Sequence, residues 1–311
     1  MLMKVTITIA ILSLCSLGTC MQKNGKVTSD VSEKKIQVEE RVPSTYQYDS
    51  PDQVISLGSA LIEISGLAYQ ADGDYLIANN DESGHFFKLH RSDGKLAEKV
   101  KFGKKGDYES LEVVDDNIIV ALNTGTLHIY DLETKKTEKY NNQLKSENNI
   151  EGLAFDARDN KLFLACKGRS LDPKISKKKQ KCVYSYDLTQ HLLDTIPALN
   201  ILDDDLIAFV KEHHDLSSPA ALEGKVKRIK DFAPSGIAID PVTREYYIIS
   251  ARGSTIIRIG EDSLIKEIGF FSEAALPQPE GITFGPDREL YIGGEGKHTT
   301  GKIFKFSRRE Q

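Results

Sequence analysis

The sequence predicts an all-β fold, a five-bladed β-propeller closed by an N-terminal strand and interrupted by one helical insertion. Three observations predict it. A phrase recurs five times, as Ile64-Ser65-Gly66-Leu67-Ala68-Tyr69, Tyr108-Glu109-Ser110-Leu111-Glu112-Val113, Ile150-Glu151-Gly152-Leu153-Ala154-Phe155, Pro234-Ser235-Gly236-Ile237-Ala238-Ile239 and Pro279-Glu280-Gly281-Ile282-Thr283-Phe284. Its small residues, Gly66, Ser110, Gly152, Gly236 and Gly281, stand 44, 42, 84 and 45 positions apart, so one interval is doubled. Short apolar runs bounded by turn residues fill most of the spaces, and a period in the low forties built from such runs is that of a propeller blade.

Composition sets the class. Of 311 residues, 40% are hydrophobic and 28% charged, as in an ordinary globular protein. A net charge of -5 gives no sign of nucleic-acid binding and no aromatic-basic interleaving suggests it, so no nucleic-acid partner is expected. Trp is absent, which removes the Trp-Asp dipeptide of one common propeller family.

Residues 1–20 read as a targeting segment: a charged start at Met1–Lys4, an apolar run from Val5 to Leu17, and Leu17-Gly18-Thr19-Cys20 at its end. This is the form of a bacterial lipoprotein signal with Cys20 as the lipidated residue, although Thr19 departs from the usual Gly, Ala or Ser. An ordinary secretory peptide is the alternative. In either case the mature chain is expected in the bacterial cell envelope, and lipid on Cys20 would anchor it to a membrane. Residues 21–45 are polar and charged and read as a flexible tether, leaving 46–311 for the propeller.

The first blade is predicted from Leu67, Tyr75, Phe86 and Ala97 onward, with turns at Asp72-Gly73-Asp74, Glu82-Ser83-Gly84 and Ser92-Asp93-Gly94. Runs beginning at Leu111, Ile118, Leu127 and Thr137 make the second, and runs at Leu153, Leu162 and Val183 start the third. The rhythm then breaks over about 195–230. Leu202, Leu206, Phe209 and Val210 fall at helical spacing between Asp203-Asp204-Asp205 and Lys211, His213 and His214, which predicts an inserted helix with charges matched to its dipole. A degenerate sixth blade is the other reading of the doubled interval. Blade four resumes at Ile237, and the last copy ends one strand short. Gln53-Val54-Ile55-Ser56-Leu57 is expected to supply that strand and remove the open edges.

Each phrase should open the innermost strand of a blade, with its leading side chain at one mouth of the central channel. That ring is Ser65, Glu109, Glu151, Ser235 and Glu280. Second strands return to the same face and bring Asn80, Asn123, Lys167, Arg252 and Glu295. Carboxylates about 6 Å apart repel by roughly 3 kcal/mol per pair at an effective dielectric near 20. A bound cation, Lys167 and Arg252, or water-filled separation can offset this. An oxygen-only donor set favours Ca²⁺ over Mg²⁺, while strand capping and bound water are the purely structural alternative.

The phrases around Asn149–Asp156, Pro234–Pro241 and Pro277–Phe284 resemble the SdiA-regulated, YjiK-like family of bacterial exported proteins, over about Tyr46 to Phe306. The resemblance implies a five-bladed propeller distantly similar to NHL-repeat proteins, with a calcium site. It implies no reaction. Two functions follow as expectations: a surface-tethered, calcium-binding module for a small ligand or envelope protein, or a metal-dependent hydrolase of the lactonase or phosphoesterase type using the carboxylate ring. No nucleophile-base pair or histidine falls in the ring, which weighs against the enzyme.

Cys166 and Cys182 bracket the basic connection Lys167–Lys181 at facing strand ends. Outside the cytoplasm they are expected to form a disulfide, with two buried thiols as the alternative. The run Lys177-Lys178-Lys179 reads as a solvated loop, and His213-His214 as surface residues.

Overall fold

The computed structural model describes residues 44–175, 179–213, 218–296 and 299–309. The leader, Cys20 and nearly all of the tether lie outside the described residues, as do Lys177, Lys178 and His214. The first strand, β1 (Gln53–Ser56), belongs to the last sheet. Blade 1 is β2 (Ile64–Gln70), β3 (Tyr75–Asn80), β4 (His85–His90) and β5 (Leu96–Lys101). Blade 2 is β6 (Tyr108–Val114), β7 (Asn117–Leu122), β8 (Leu127–Asp131) and β9 (Thr137–Tyr140). Blade 3 has β10 (Ile150–Asp156), β11 (Lys161–Cys166) and β12 (Gln180–Asp187), and its outer edge is split between β13 (Leu192–Leu193) and β14 (Leu199–Leu202).

The doubled interval is then filled by helices, α1 (Asp203–His213) and α2 (Pro219–Lys230), and not by a sixth blade. Blade 4 is β15 (Gly236–Ile239), β16 (Tyr246–Ser250), β17 (Thr255–Ile259) and β18 (Ile265–Phe270). Blade 5 is β19 (Pro279–Phe284), β20 (Leu290–Gly294) and β21 (Lys302–Phe306), with β1 pairing antiparallel to β21 from Gln53 opposite Lys305 to Ser56 opposite Lys302. The predicted closing strand is therefore in place.

Strand alternation explains why the blades stack. Along β3, Leu76 and Ala78 pack toward blade 5 while Ile77 packs toward blade 2. Successive side chains of a strand point to opposite faces, so a blade held between two others is apolar on both. Five apolar clusters result, one at each junction between blades. The innermost strands β2, β6, β10, β15 and β19 pack each against the next, and β19 returns to β2. Outward the burial fades, from an almost fully buried β2 to a largely exposed β5.

Buried ion pairs stitch neighbouring blades at the far ends of the inner strands. Arg244 Nη2 lies 2.6 Å from Asp156 Oδ2, joining blades 3 and 4, and Arg288 Nε lies 3.0 Å from the fully buried Asp240 carboxylate, joining blades 4 and 5. Arg91 makes the corresponding link from blade 1 to Glu289 of blade 5, at 3.0 Å.

The insertion is two helices where the periodicity predicted one, and Leu202 belongs to β14 and not to the helix. Acidic residues open α1, and Lys211 and His213 close it, as the dipole favours. For α2 the start is marked by Ser218, whose hydroxyl accepts the Ala221 N–H at 3.2 Å, followed by Pro219 in the first turn. Leu206, Val210 and Ile229 bury against the junction of blades 3 and 4. Arg228 ties α2 to blade 4 by donating to the carbonyls of Gly253, Ser254 and Phe271.

Cys166 and Cys182 do stand opposite each other on β11 and β12, as expected. The expected disulfide is not formed: both are free, buried thiols. Burial raises both thiol pKa values, which holds them neutral and unreactive. Cys182 Sγ turns toward Asn200 Oδ1, 3.7 Å away.

Candidate functional site at the channel mouth

The repeated phrase works through a local irregularity. In β2, β6, β10 and β19 the pairing register to the second strand shifts within the phrase, between Ile64 and Gly66, Tyr108 and Ser110, Ile150 and Gly152, and Pro279 and Ile282. Ser65, Glu109, Glu151 and Glu280 are therefore left out of the ladder, joined in the last copy by Gly281. A bulge re-aims its side chain, which frees this position to vary without disturbing the blade. The following glycine has a separate reason. A Cβ on Gly281 would sit 2.7 Å from the backbone nitrogen of Leu67 in the next blade. Where the second copy has Ser110 in that slot, its hydroxyl accepts the Leu153 N–H at 3.0 Å, so the close approach is kept by a hydrogen bond.

The ring residues divide into two kinds. Ser65 Oγ donates to the Glu109 carbonyl at 2.8 Å and stands 3.4 Å from Glu109 Oε2. Ser235 Oγ donates to the Pro279 carbonyl at 2.6 Å and accepts the Ala251 N–H at 3.0 Å. Both serines thus tie one inner strand to the next. The three glutamates carry the electrostatics.

Lys167 Nζ lies 3.1 Å from Glu151 Oε1, which also accepts from Asn149 Nδ2 at 2.6 Å. Burial raises the Glu151 carboxyl pKa, with Lys167 pulling it back. Burial, then the Glu151 and Asp107 carboxylates, push Glu109 up to about 8. Glu280 is raised well above the ordinary range, by burial first and by Glu151 next. Lys167, although burial disfavours its charge, is held above its ordinary value by Glu151, Glu280 and Glu109. One ammonium therefore serves three carboxyl groups, those of Glu151 and Glu280 buried and that of Glu109 half-buried.

The second set of residues is less uniform. Asn80 caps a loop, donating to the Ala60 carbonyl at 3.0 Å and accepting from Ser83 Oγ at 2.6 Å. Asn123 donates to the Asp107 carboxylate. Arg252 is exposed and its backbone bridges to Ala233. Glu295 is half-buried and adds to the charge around Glu280.

Sequence reasoning missed three acidic residues. Asp107 immediately precedes the second phrase and adds to the repulsion on Glu109. Asp81 follows β3, and its carboxyl is raised by burial and then by Glu63. Both adjoin positions that were singled out, which is the signal that could have found them. Glu112 lies at the fifth place of its phrase, where the other copies have Ala68, Ala154, Ala238 and Thr283. It is half-buried by surface yet enclosed by inner strands, and burial pushes its carboxyl up to about 7 against backbone N–H bonds from Val113 and Phe155.

For calcium, the donors match in kind: all are oxygens, three of them on carboxyl groups whose charge burial disfavours. Their spacing is not that of a closed cage. Among the described residues no group of three acidic, histidine or cysteine side chains is close enough to hold an ion, and the Lys167 ammonium takes the place beside Glu151. His213 stacks on Phe209 with ring centres 4.1 Å apart, a surface contact as expected.

A search of curated protein sequences finds no match to this chain. Solved structures similar to it include a streptogramin B lyase, at 18% identity and TM-score 0.42, over 79% of this chain and 65% of the lyase. They also include a PQQ-bound aldose sugar dehydrogenase from Streptomyces coelicolor, at 11% identity and TM-score 0.48, over 84% of this chain and 98% of that one. A luciferin-regenerating enzyme is similar at 14% identity and TM-score 0.48, over 83% and 95%. The family model for SdiA-regulated proteins matches residues 39–297, and the chain belongs to the SdiA-regulated family.

Proposed function

We propose that this propeller is an exported binding module whose ligand meets the channel mouth at Glu109, Glu151, Glu280 and Lys167. The observation that carries the reading is three enclosed carboxyl groups, all raised in pKa, gathered on one ammonium. Such a grouping costs folding stability, and perturbed groups of this kind concentrate at functional sites. Calcium is the proposed inorganic occupant, with Glu109, Glu151 and Glu280 as its oxygen donors; to hold it these carboxyl groups would have to draw closer together than they stand here and Lys167 would have to leave Glu151. Bound there, it would supply fixed positive charge at the mouth. Cys20 is the proposed lipid anchor, the segment after it the tether, and a small ligand or envelope protein the partner.

The test is calcium titration followed by thermal unfolding, on the protein and on its Glu151→Gln, Glu280→Gln double variant. A calcium-dependent rise in Tm that the double variant loses supports the reading, and no rise in the unaltered protein overturns the cation site. A second reading, a hydrolase, is favoured by one observation. A Glu109 carboxyl near pKa 8 holds a proton at neutral pH and can act as a general acid. Turnover of a lactone or phosphoester substrate, abolished by Glu109→Gln, would establish it.

A further inference from the structure

Beside the acidic mouth lies a second feature of opposite character. A cleft of about 600 Å³ opens between the ends of β11 and β12, the start of α1, the end of α2 and the Ala233–Arg252 bridge. Lys167, Lys179, Lys181, Lys230 and Arg252 line it, against the carboxylates of Asp203, Asp204 and Asp231. With Lys167 paired to Glu151, Lys179, Lys181, Lys230 and Arg252 face three acids, a small local excess of positive charge in a chain whose net charge is -5.

The fold brings these cations together from separated places. Lys167 follows the end of β11, and Lys181 Nζ donates to the Lys167 carbonyl at 2.9 Å, fixing the two segments side by side. The Lys179 carbonyl accepts the Asp203 N–H at 3.0 Å, which places that lysine at the start of α1. Lys230 closes α2. Arg252 is set across from Ala233 by their backbone bridge. The acids are partly answered from within, since Lys181 is the positive charge acting on Asp203. Phe232 and Ala233, both buried, give the cleft an apolar wall, with Ile207 beside them. A cavity of several hundred Å³ with an apolar wall and a few convergent charged groups has the form of a small-molecule site.

We propose that this cleft binds a small organic polyanion, a ligand with multivalent phosphate or carboxylate groups and a short apolar or sugar portion lying against the partly exposed Ile207. Arg252 offers a planar fork for two oxygens of such a group, and the exposed Lys230 and Lys179 offer point charges. The helices α1 and α2 supply one side of the cleft through Asp203, Asp204, Ile207 and Lys230, so the interruption in the repeat helps to create it.

The experiment is calorimetric titration of the protein with pyrophosphate and, separately, citrate, in buffer freed of divalent cations by passage over a chelating resin and at constant ionic strength. The metal-free buffer makes the result independent of the proposed calcium site. The expected result is saturable one-to-one binding of at least one of the two, weakened about tenfold by Arg252→Ala and by Lys230→Ala, and unchanged by Lys136→Ala on the exposed edge of blade 2. Tighter binding of pyrophosphate assigns phosphoryl ligands, and tighter binding of citrate assigns carboxylates. Absence of saturable binding to both, or equal weakening by all three substitutions, overturns the proposal. Arg252 and Lys230 are exposed, so their removal leaves the fold intact, and matched unfolding curves verify this.

Discussion

Lys167 Nζ stands 3.1 Å from Glu151 Oε1, and the same side chain lines the cationic cleft, so one ammonium borders two regions of opposite charge. Replacing it with methionine keeps the stem and removes the charge, leaving Glu151 without its counter-ion. Lys167→Met is expected to cost about 1–3 kcal/mol at pH 8, and less at pH 5, where the carboxyl groups of the mouth take up protons. Urea unfolding at the two pH values measures it. An equal loss at both would detach Lys167 from the carboxylates.

Glu109 has a folded-state pKa of about 8 against an ordinary 4.5, so folding favours its protonated form. Its contribution is fully present below pH 4.5 and is lost as pH rises to about 8, beyond which the difference is constant. The Glu109→Gln variant is expected to match the unaltered protein near pH 4.5 and to exceed it by about 1–3 kcal/mol at pH 9. Denaturant titrations at the two extremes decide the sign.

Two glycines should respond in opposite directions. Gly281→Ala forces a Cβ to within 2.7 Å of the Leu67 nitrogen and is expected to cost about 1–3 kcal/mol, because the obstacle is backbone. Gly224, inside α2, has nothing within 4 Å of an added Cβ, and Gly224→Ala should stabilise by about 0.5–1 kcal/mol. Chemical denaturation of both variants compares ring packing with helix propensity in one protein.

Arg288 answers a carboxylate that has no exposed surface. Arg288→Met strands Asp240 and is expected to cost about 3 kcal/mol, whereas adding Asp240→Asn should restore part of the loss. A double-mutant cycle on unfolding free energy gives the coupling between blades 4 and 5 directly.

The period of the phrase made the blade count readable, because every inner strand meets the same neighbours and needs the same small residue. The missing fourth strand of blade 5 made the role of Gln53–Ser56 readable for a related reason. Local irregularities were harder. Nothing in the run from Leu199 into the helix shows where β14 stops, since Leu202 suits either element, and the second helix was announced only by Ser218-Pro219. The leading residue of each phrase was found, but its division into stitching serines and charged glutamates depends on the partner supplied by the adjacent blade. Asp81 and Asp107 escaped because they lie outside the repeat. The cysteine pair shows the remaining gap: strand register predicted their meeting, while covalent state is a separate chemical matter.

The pairing of β1 with β21 joins the two ends of the domain across almost its whole length. A chain synthesised from its N-terminus therefore presents Gln53–Ser56 early and has no partner for it until Lys302–Phe306 is made. Blades 1 to 4 can form in order behind it, yet the circle stays open until β21 is made. Closure of the ring thus depends on synthesis as far as β21, and a product stopped anywhere before Lys302 carries an unpaired strand edge.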